Sequence, residues 1–273
     1  MIQNIVFDFG GVIASICRDR AVHAFMQLGL ADADSRLDKY HQTGIFQELE
    51  EGKLSDDGFC TALSSLCGRK LTWKETQQAW LGFFTGVNLT QLAYLTELRK
   101  NYRIYVLSNT NPFVMSWACS ADFTPLKKPL TDYCDRLYLS YEIGYTKPAR
   151  EIFDFMVKDS GITPAETLFV DDGASNIAIG RQLGFATFQP ENGEEWTKAL
   201  SEQLNLLNSL TYSIMADNYL EKQREAYEAR KAAWLKAKKF GKKSVTGHKQ
   251  QPNALSNNPS HQTDKNQSEN NNE

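Results

Sequence analysis

The sequence predicts an α/β fold in which a doubly wound parallel sheet carries a helical segment inserted after its first strand. Three short apolar runs support this prediction, at residues 5–7, 104–107 and 168–170, and each run ends in a polar cluster. Such runs, rich in β-branched and aromatic residues and bounded by Gly, Asn and Asp, are typical of buried strands. Helical patterns alternate with strands from residue 89 onward, which favours a parallel sheet with helices on both faces.

The first predicted strand covers residues 3–8, and the region from about Arg18 to Phe84 then shows helical patterns without a convincing strand. Ser55 and Thr72 begin two helices of that region, because their hydroxyls accept backbone hydrogen bonds at helix N-termini and Glu75 completes a capping box with Thr72. The later elements are a helix at about 90–100, strands at 103–108 and near 136–140, a helix at about 149–159, a strand at 167–171, a helix at about 175–183 and a strand at 186–188.

These patterns divide the chain into four segments. Residues 1–16 and 86–210 form a Rossmann-like core, and residues 17–85 form a helical cap over the ends of its strands. Residues 211–243 form a basic helical extension, with nine Lys or Arg against four Asp or Glu. Residues 244–273 are mostly Asn, Gln, Ser, Lys and Pro, and we expect disorder there because they offer almost no apolar surface to bury.

Composition excludes several classes of protein. The net charge of −3 indicates no particular partner, and no apolar run approaches the ~20 residues of a membrane helix. Five cysteines without a CxxC pair, and no signal peptide, are typical of reduced thiols in a cytoplasmic protein. We interpret the basic extension as a solvated helix, so we expect neither a membrane nor a nucleic-acid partner. The oligomeric state stays open.

Candidate functional residues stand where the predicted strands end. Asp8 follows the first strand, Ser108 ends the strand at 103–108, and Asp171 and Asp172 end the strand at 167–171. Ligands of a parallel sheet bind outside the carboxyl ends of its strands, so these side chains should converge. Three carboxylates there favour a cation, and Mg²⁺ fits because it shares its coordination between carboxylate and phosphate oxygens.

A phosphorylated substrate suits this set of residues. A carboxylate nucleophile and a phosphate repel each other by roughly 4 kcal/mol for unit charges 4 Å apart near a protein surface. Mg²⁺ and Lys147, in a loop before a helix, would offset that repulsion. Ser108 and Asn109, with nearby backbone N–H groups, would bind the remaining oxygens. Gly10 and Gly11 lack side chains, so a phosphate can approach their backbone closely.

The motifs together resemble those of the haloacid dehalogenase superfamily of phosphohydrolases with a helical cap, including its glucose-1-phosphate phosphatase and β-phosphoglucomutase-like branch. They occur in the family's order as DFGGV from Asp8, LSNTN at Ser108, YTKP at Lys147 and VDDGASN at Asp171 and Asp172. The resemblance implies that Asp8 is the nucleophile and forms an aspartyl-phosphate. It also implies a Mg²⁺ site of Asp8, the Gly10 carbonyl and the acidic pair, with Asp172 as the preferred direct ligand.

Gly10 departs from the family's usual pattern, in which a second Asp at this position protonates the leaving group. The glucose-1-phosphate phosphatase branch also has Gly there, and the dehalogenases also lack the Asp. A positioned general acid is worth roughly 10²–10⁴ in rate. Without it, a more acidic leaving oxygen is favoured, such as that of an anomeric sugar phosphate, unless water or a cap residue donates the proton.

We therefore expect a cytoplasmic, Mg²⁺-dependent phosphatase that hydrolyses a small phosphorylated metabolite, in particular a sugar phosphate. One alternative is a 2-haloacid dehalogenase, in which Asp8 attacks a carbon that bears a halide and no metal is needed. Another is a non-catalytic protein that binds a phosphorylated ligand, which Gly10 favours but the intact Asp8, Lys147 and Asp172 oppose.

Two groups of cap residues receive no role in the site. Glu48, Glu50 and Glu51 are expected on a solvated face of the cap. Four aromatic residues are spaced for packing between cap helices, namely Trp73, Trp80, Phe83 and Phe84. The sequence therefore does not predict which substrate the cap selects.

Overall fold

A computed structural model describes residues 1–38 and 42–240 of the chain. They divide into two units, Met1–Ala216 and a second unit that begins at Asp217. The strands are β1 (Asn4–Phe7), β2 (Ala14–Ile16), β3 (Phe84–Val87), β4 (Arg103–Ser108), β5 (Arg136–Leu139), β6 (Thr167–Val170) and β7 (Ala186–Phe188). The helices are α1 (Arg18–Leu28), α2 (Ala33–Arg36), α3 (Ile45–Glu50), α4 (Asp56–Leu66), α5 (Trp73–Leu81), α6 (Leu89–Leu98), α7 (Pro112–Ala118), α8 (Ser140–Ile143), α9 (Arg150–Ser160), α10 (Ala174–Gln182) and α11 (Thr197–Phe240), with 3₁₀ turns at Leu130–Asp132 and Pro164–Glu166.

Five parallel strands form one sheet in the order β5-β4-β1-β6-β7, which confirms the predicted fold class. The first strand lies in the centre, where Phe7 pairs with Val106 of β4 and with Val170 of β6. The three central strands therefore end side by side. Residues that follow them meet at one edge of the sheet, as the sequence predicts for Asp8 and Asp171.

The central strands are buried on both faces. Ile5 and Phe7 contribute to one apolar layer, together with α6 and the beginning of α11. Val6 and Phe169 contribute to the other layer, together with α9 and α10. Strands covered by helices on both sides have no solvated face, which explains why their sequences are continuous apolar runs instead of alternating patterns.

Helices α1–α5, which we call the cap helices, pack around four aromatic rings. The rings belong to Phe25, Phe46, Phe59 and Trp80, which we call the aromatic cluster, and their neighbouring centroids lie 5.1–5.8 Å apart. The predicted packing role of Trp80 is thus confirmed. Ser55 and Thr72 cap α4 and α5, and the Thr72–Glu75 capping box is present. The cap boundaries at 17–85 stay a prediction.

Two features differ from the prediction. The short strands β2 and β3 pair antiparallel, whereas the sequence predicts no strand at residues 14–16 and only helical structure from about Arg18 to Phe84. Strands of three and four residues are too short to display an alternating pattern. Helix α7, which follows Asn111 as its N-cap, was also missed.

The C-terminal helix α11 includes residues 211–240 of the predicted helical extension. Residues 241–243 of that extension and the predicted disordered tail at 244–273 lie outside the described residues. In the part of the chain that the structure describes, no helix combines the length and apolar character needed to cross a membrane.

Phe46→Ala should lower the free energy of unfolding by about 3–5 kcal/mol, because it removes a fully buried ring and leaves a cavity in the aromatic cluster. Denaturant unfolding followed by circular dichroism measures the change. Phe155→Ala is the matched control, since Phe155 is 47% exposed and its loss should cost no more than about 1 kcal/mol. Equal losses in both variants would contradict the role of the cluster.

Candidate active site

Asp8 stands directly after the central strand. Its N–H donates to the carbonyl of Val170, which fixes the residue against the end of β6. Its Oδ1 accepts a hydrogen bond from the Phe9 N–H at 2.6 Å and lies 2.8 Å from the Lys147 ammonium. Burial raises the pKa of Asp8 to about 8, Lys147 opposes this effect, and the nearby Asp171 and Asp172 add to it. The ionised carboxylate therefore depends on neighbouring positive charge.

Lys147 joins two of the carboxylates in the interior. Its Nζ lies 2.8 Å from Asp8 Oδ1 and 2.7 Å from Asp171 Oδ2, and its side chain is only 1% exposed. Burial by itself lowers the pKa of Lys147, but Asp171 and Asp8 outweigh burial, so the pKa is raised. The lysine therefore stays a cation although it is removed from water.

Asn109 holds the backbone of Lys147 in place. The Lys147 N–H donates to Asn109 Oδ1 at 2.7 Å, and Asn109 Nδ2 donates to the Lys147 carbonyl at 2.9 Å. Ser108, the last residue of β4, is buried and its hydroxyl donates to the Asn109 carbonyl. Asn109, which the sequence predicts to bind phosphate, thus also positions the lysine.

Asp171 is fully buried, and its carboxylate is surrounded by donors. It accepts hydrogen bonds from the Lys147 ammonium, from the Gly173 N–H at 2.8 Å and from Asn176 Nδ2 at 3.0 Å. Asp172, the next residue, instead lines the cavity described below. The adjacent carboxylates therefore have different surroundings, which favours Asp172 over Asp171 for contact with a ligand.

Gly11 makes room for the Asp172 carboxylate. Its φ angle of +86° is one that other residues rarely adopt, and a Cβ atom added to it would overlap the carboxylate of Asp172. Its N–H donates to the Ala14 carbonyl at 2.8 Å. Glycine at this position thus has a steric reason that is separate from the predicted approach of a phosphate.

Asp8, Asp171 and Asp172 together have the chemistry of a divalent-cation site. One oxygen from each lies within 4.8 Å of the others, and all three residues are buried. Lys147 supplies one positive charge to three carboxylates, so the cluster keeps an excess of negative charge. Carboxylate oxygens are the ligands that Mg²⁺ prefers, and the residues present therefore fit this ion.

A cavity of about 80 Å³ opens in front of Asp8. Among the predicted site residues, its lining includes Asp8, Gly10, Asn109, Lys147 and Asp172. Other lining residues are Phe9, Ile16, Gln42, Phe83, Phe84, Val114 and Asn176. Three predicted site residues do not line it, namely Gly11, Ser108 and Asp171. The cap helices and the sheet thus enclose one shared space.

Glu50 also lines this cavity, which corrects the expectation of a solvated position. The residue is 7% exposed, whereas Glu48 on the same helix is exposed. Burial raises the pKa of Glu50 to about 8, and the charges of Glu51 and Asp8 add to this effect. The sequence could not orient α3, because six residues are too few for a helical period to define a buried face.

Three further lining residues carry buried polar atoms that have no hydrogen-bond partner among the described residues. The atoms are Trp80 Nε1, Thr110 Oγ1 and Asn111 Nδ2, and each residue is at most 3% exposed. A buried polar group left without a partner costs about 1–3 kcal/mol. Unsatisfied groups that share one cavity are available to hydrogen-bond an ordered water or a bound ligand there.

A family model and a curated relative match most of this chain. The model of haloacid dehalogenase-like hydrolases matches residues 2–184. The D-ribitol-5-phosphate phosphatase of Bacteroides thetaiotaomicron is 69% identical over 205 residues, which are 75% of this chain and 100% of that protein.

Two solved structures extend the comparison. A haloacid dehalogenase-like hydrolase from Porphyromonas gingivalis is 41% identical with a TM-score of 0.72, over 75% of this chain and 98% of that one. A family enzyme from Bacteroides thetaiotaomicron, an aspartate-to-alanine mutant in complex with magnesium and inorganic phosphate, is 32% identical with a TM-score of 0.69, over 73% and 99% of the two chains.

Gly11→Ala should weaken Mg²⁺ binding at least about tenfold, or roughly 1.4 kcal/mol, because the added methyl group displaces the Asp172 carboxylate. Isothermal titration of Mg²⁺ measures the affinity. Gly161→Ala controls for backbone strain, since Gly161 has φ +69° and no atoms near the position of an added Cβ. Unchanged Mg²⁺ affinity in the folded Gly11→Ala protein would contradict the role of Asp172.

Proposed function

The chain belongs to the haloacid dehalogenase-like hydrolase family, and we propose that it hydrolyses a pentitol 5-phosphate with Asp8 as the nucleophile. It is a Mg²⁺-dependent phosphatase of a small phosphorylated compound, so the activity and cofactor expected from the sequence are confirmed. The roles of individual residues and the identity of the substrate are our proposals.

One observation carries the substrate proposal. A single cavity joins the buried Asp8–Lys147 pair to three buried polar groups that lack partners, on Trp80, Thr110 and Asn111. A phosphorylated polyol would place its phosphate at the Asp8–Lys147 pair and its hydroxyls at the three polar groups. The relative that is 69% identical over its whole length is named for D-ribitol 5-phosphate.

This substrate differs from the anomeric sugar phosphate that Gly10 favours in the sequence. A pentitol is acyclic and has no anomeric carbon, and its 5-phosphate is an ester of a primary alcohol. Such an alcohol is a poor leaving group when it departs as an anion. The proposal therefore requires a proton donor in the site.

Catalysis begins with the Asp8 carboxylate, whose Oδ atom attacks phosphorus while the bond to the sugar-alcohol oxygen breaks. An aspartyl-phosphate forms on Asp8, and water then hydrolyses it. Lys147 lowers the pKa of Asp8 against the effect of burial and attracts the phosphoryl oxygens, and Asn109 fixes the position of Lys147. Positioning and charge neutralisation supply most of the rate enhancement in phosphoryl transfer.

We assign the Mg²⁺ site to the carboxylates of Asp8 and Asp172 and the carbonyl of Gly10. Bound there, Mg²⁺ supplies positive charge that offsets repulsion between the nucleophile and the phosphate. Asp171 supports the site by holding Lys147 and Asn176. This need for a cation favours a phosphatase over a dehalogenase, which requires no metal.

Asp8→Asn should lower turnover of D-ribitol 5-phosphate at least 10³-fold, because an amide cannot form the aspartyl-phosphate. EDTA should abolish turnover by the wild type. Phosphate release measures both effects, and circular dichroism checks the fold. Asp19→Asn, the same change at a side chain that is 90% exposed, should retain activity. Turnover that survives both Asp8→Asn and EDTA would contradict the proposed mechanism.

Thr110→Val should raise KM for D-ribitol 5-phosphate by about 2–13-fold, since a typical hydrogen bond contributes about 0.5–1.5 kcal/mol. The KM for phenyl phosphate should stay unchanged, because that ester carries no hydroxyl groups. Thr61→Val, at an exposed position of α4, is the control. An equal rise in KM for both esters would contradict recognition of a substrate hydroxyl by Thr110.

A further inference from the structure

We propose that Glu50, which the cap helix α3 contributes to the cavity, is the proton donor and acceptor that replaces the acid missing at Gly10. This inference rests on the proposed phosphatase function and adds a catalytic residue to it. Four observations support the assignment: the shared cavity, a carboxyl group that no other described side chain binds, the fixed position of α3, and the lack of another donor among the described residues that line the cavity.

Glu50 shares a small space with the nucleophile. Both line the cavity of about 80 Å³ that also contains Gly10 and Lys147. A single water needs about 10–15 Å³ in such a cavity, so the space corresponds to only about five to eight waters and the groups that line it surround a bound phosphate ester closely. A leaving oxygen bound there is therefore close to a carboxyl group of the cap.

The Glu50 carboxyl is available to react. No described side chain forms a hydrogen bond or ion pair with it, in contrast to Glu51, which pairs with Lys53. Burial raises the pKa of Glu50 to about 8, so the group carries a proton near neutral pH. A buried acid with a raised pKa is suited to donate that proton to a departing alcohol.

The position of Glu50 is fixed by contacts on both sides of it. Phe46 and Leu49, on the same helix, are fully buried among the cap helices. Gly52, two residues later, has φ +67°, and a Cβ atom added to it would overlap the backbone carbonyl of Tyr141 in α8. The end of α3 thus lies against α8, which holds Glu50 at the cavity.

The other titratable groups of the cavity have different tasks. Asp8 is the nucleophile, Asp172 faces the cation site, and Lys147 is held between two carboxylates. Among the described residues that line the cavity, Glu50 is the remaining group that can both donate and accept a proton. Gly10 has no side chain to compete for the same space.

The two half-reactions then balance. In the first, Asp8 bonds to phosphorus, the phosphorus–oxygen bond of the ester breaks, and the leaving oxygen takes the Glu50 proton to form the alcohol. In the second, the Glu50 carboxylate removes a proton from water, whose oxygen attacks the aspartyl-phosphate. Inorganic phosphate leaves, Asp8 is restored as a carboxylate, and Glu50 holds a proton again.

Glu50→Gln tests the proposal through its dependence on the leaving group. For D-ribitol 5-phosphate, kcat/KM should fall about 10²–10⁴-fold, the usual contribution of a general acid. For 4-nitrophenyl phosphate, whose leaving group needs no proton, kcat/KM for the first half-reaction should fall less than tenfold. Glu48→Gln is the matched control, because it makes the same change at an exposed position of the same helix and should alter neither value.

Rescue by Gly10→Asp distinguishes the loss of a proton donor from a structural effect of Glu50→Gln. A Cβ atom at Gly10 would lie 3.5 Å from Ile16 Cγ2, an ordinary contact, so an acid can be added there. In the Glu50→Gln background, Gly10→Asp should restore kcat/KM for D-ribitol 5-phosphate at least tenfold. An equal loss for both esters in Glu50→Gln, no loss, or no rescue would overturn the assignment of Glu50.

These outcomes are distinct from failure of the proposed function, which would appear as a wild type inactive on every phosphate ester or as an active Asp8→Asn variant. If Glu50→Gln does not fold, Gly52→Ala replaces it, since this change displaces the end of α3 and leaves Glu50 chemically intact. A loss in Gly52→Ala at least tenfold larger for D-ribitol 5-phosphate than for 4-nitrophenyl phosphate supports the proposal, and equal losses overturn it.

Discussion

The site depends on one buried chain of charges, in which the Lys147 ammonium lies between the carboxylates of Asp8 and Asp171. Each of the three groups would be costly to bury alone, and removal of one partner from a buried ion pair typically costs about 3–5 kcal/mol. The same three groups also affect the reactivity of Asp8, because Lys147 lowers the pKa of Asp8 against the effect of burial. The stability of the buried site and the nucleophilicity of Asp8 thus depend on the same contacts.

The parallel sheet brings these three charged groups together. Asp8 and Asp171 follow adjacent strands, whose pairing of Phe7 with Val170 brings the two carboxylates to the same edge. Lys147 reaches them from the loop before α9, which Asn109 at the end of β4 fixes through two hydrogen bonds. The end of each of these strands therefore contributes a residue with a different role, and a shift in the register of any strand would separate these residues.

The sequence predicted the sheet and the carboxylate cluster because both leave local signals, namely apolar runs and polar residues at their ends. It placed Asp8, Lys147 and Asp172 in one site, and the structure brings them to one cavity. It could not predict Glu50, because α3 is too short to show a buried face, nor Trp80, Thr110 and Asn111, whose unsatisfied groups exist only once distant segments pack. Contacts between segments far apart in the chain carry no local pattern.

Because Gly10 has no side chain, the proton donor that we propose comes from the cap and not from the core. An acid two residues after the nucleophile would be fixed by the same strand, so its position would not depend on the cap. An acid at Glu50 is fixed by α3, and α3 is positioned by the contact of Gly52 with Tyr141. Trp80, one of the three residues that we propose bind the polyol, belongs to the same cap helices, whereas Thr110 and Asn111 follow β4 in the core. Protonation of the leaving group and the contact of Trp80 with the substrate would therefore both depend on how the cap helices pack against the core.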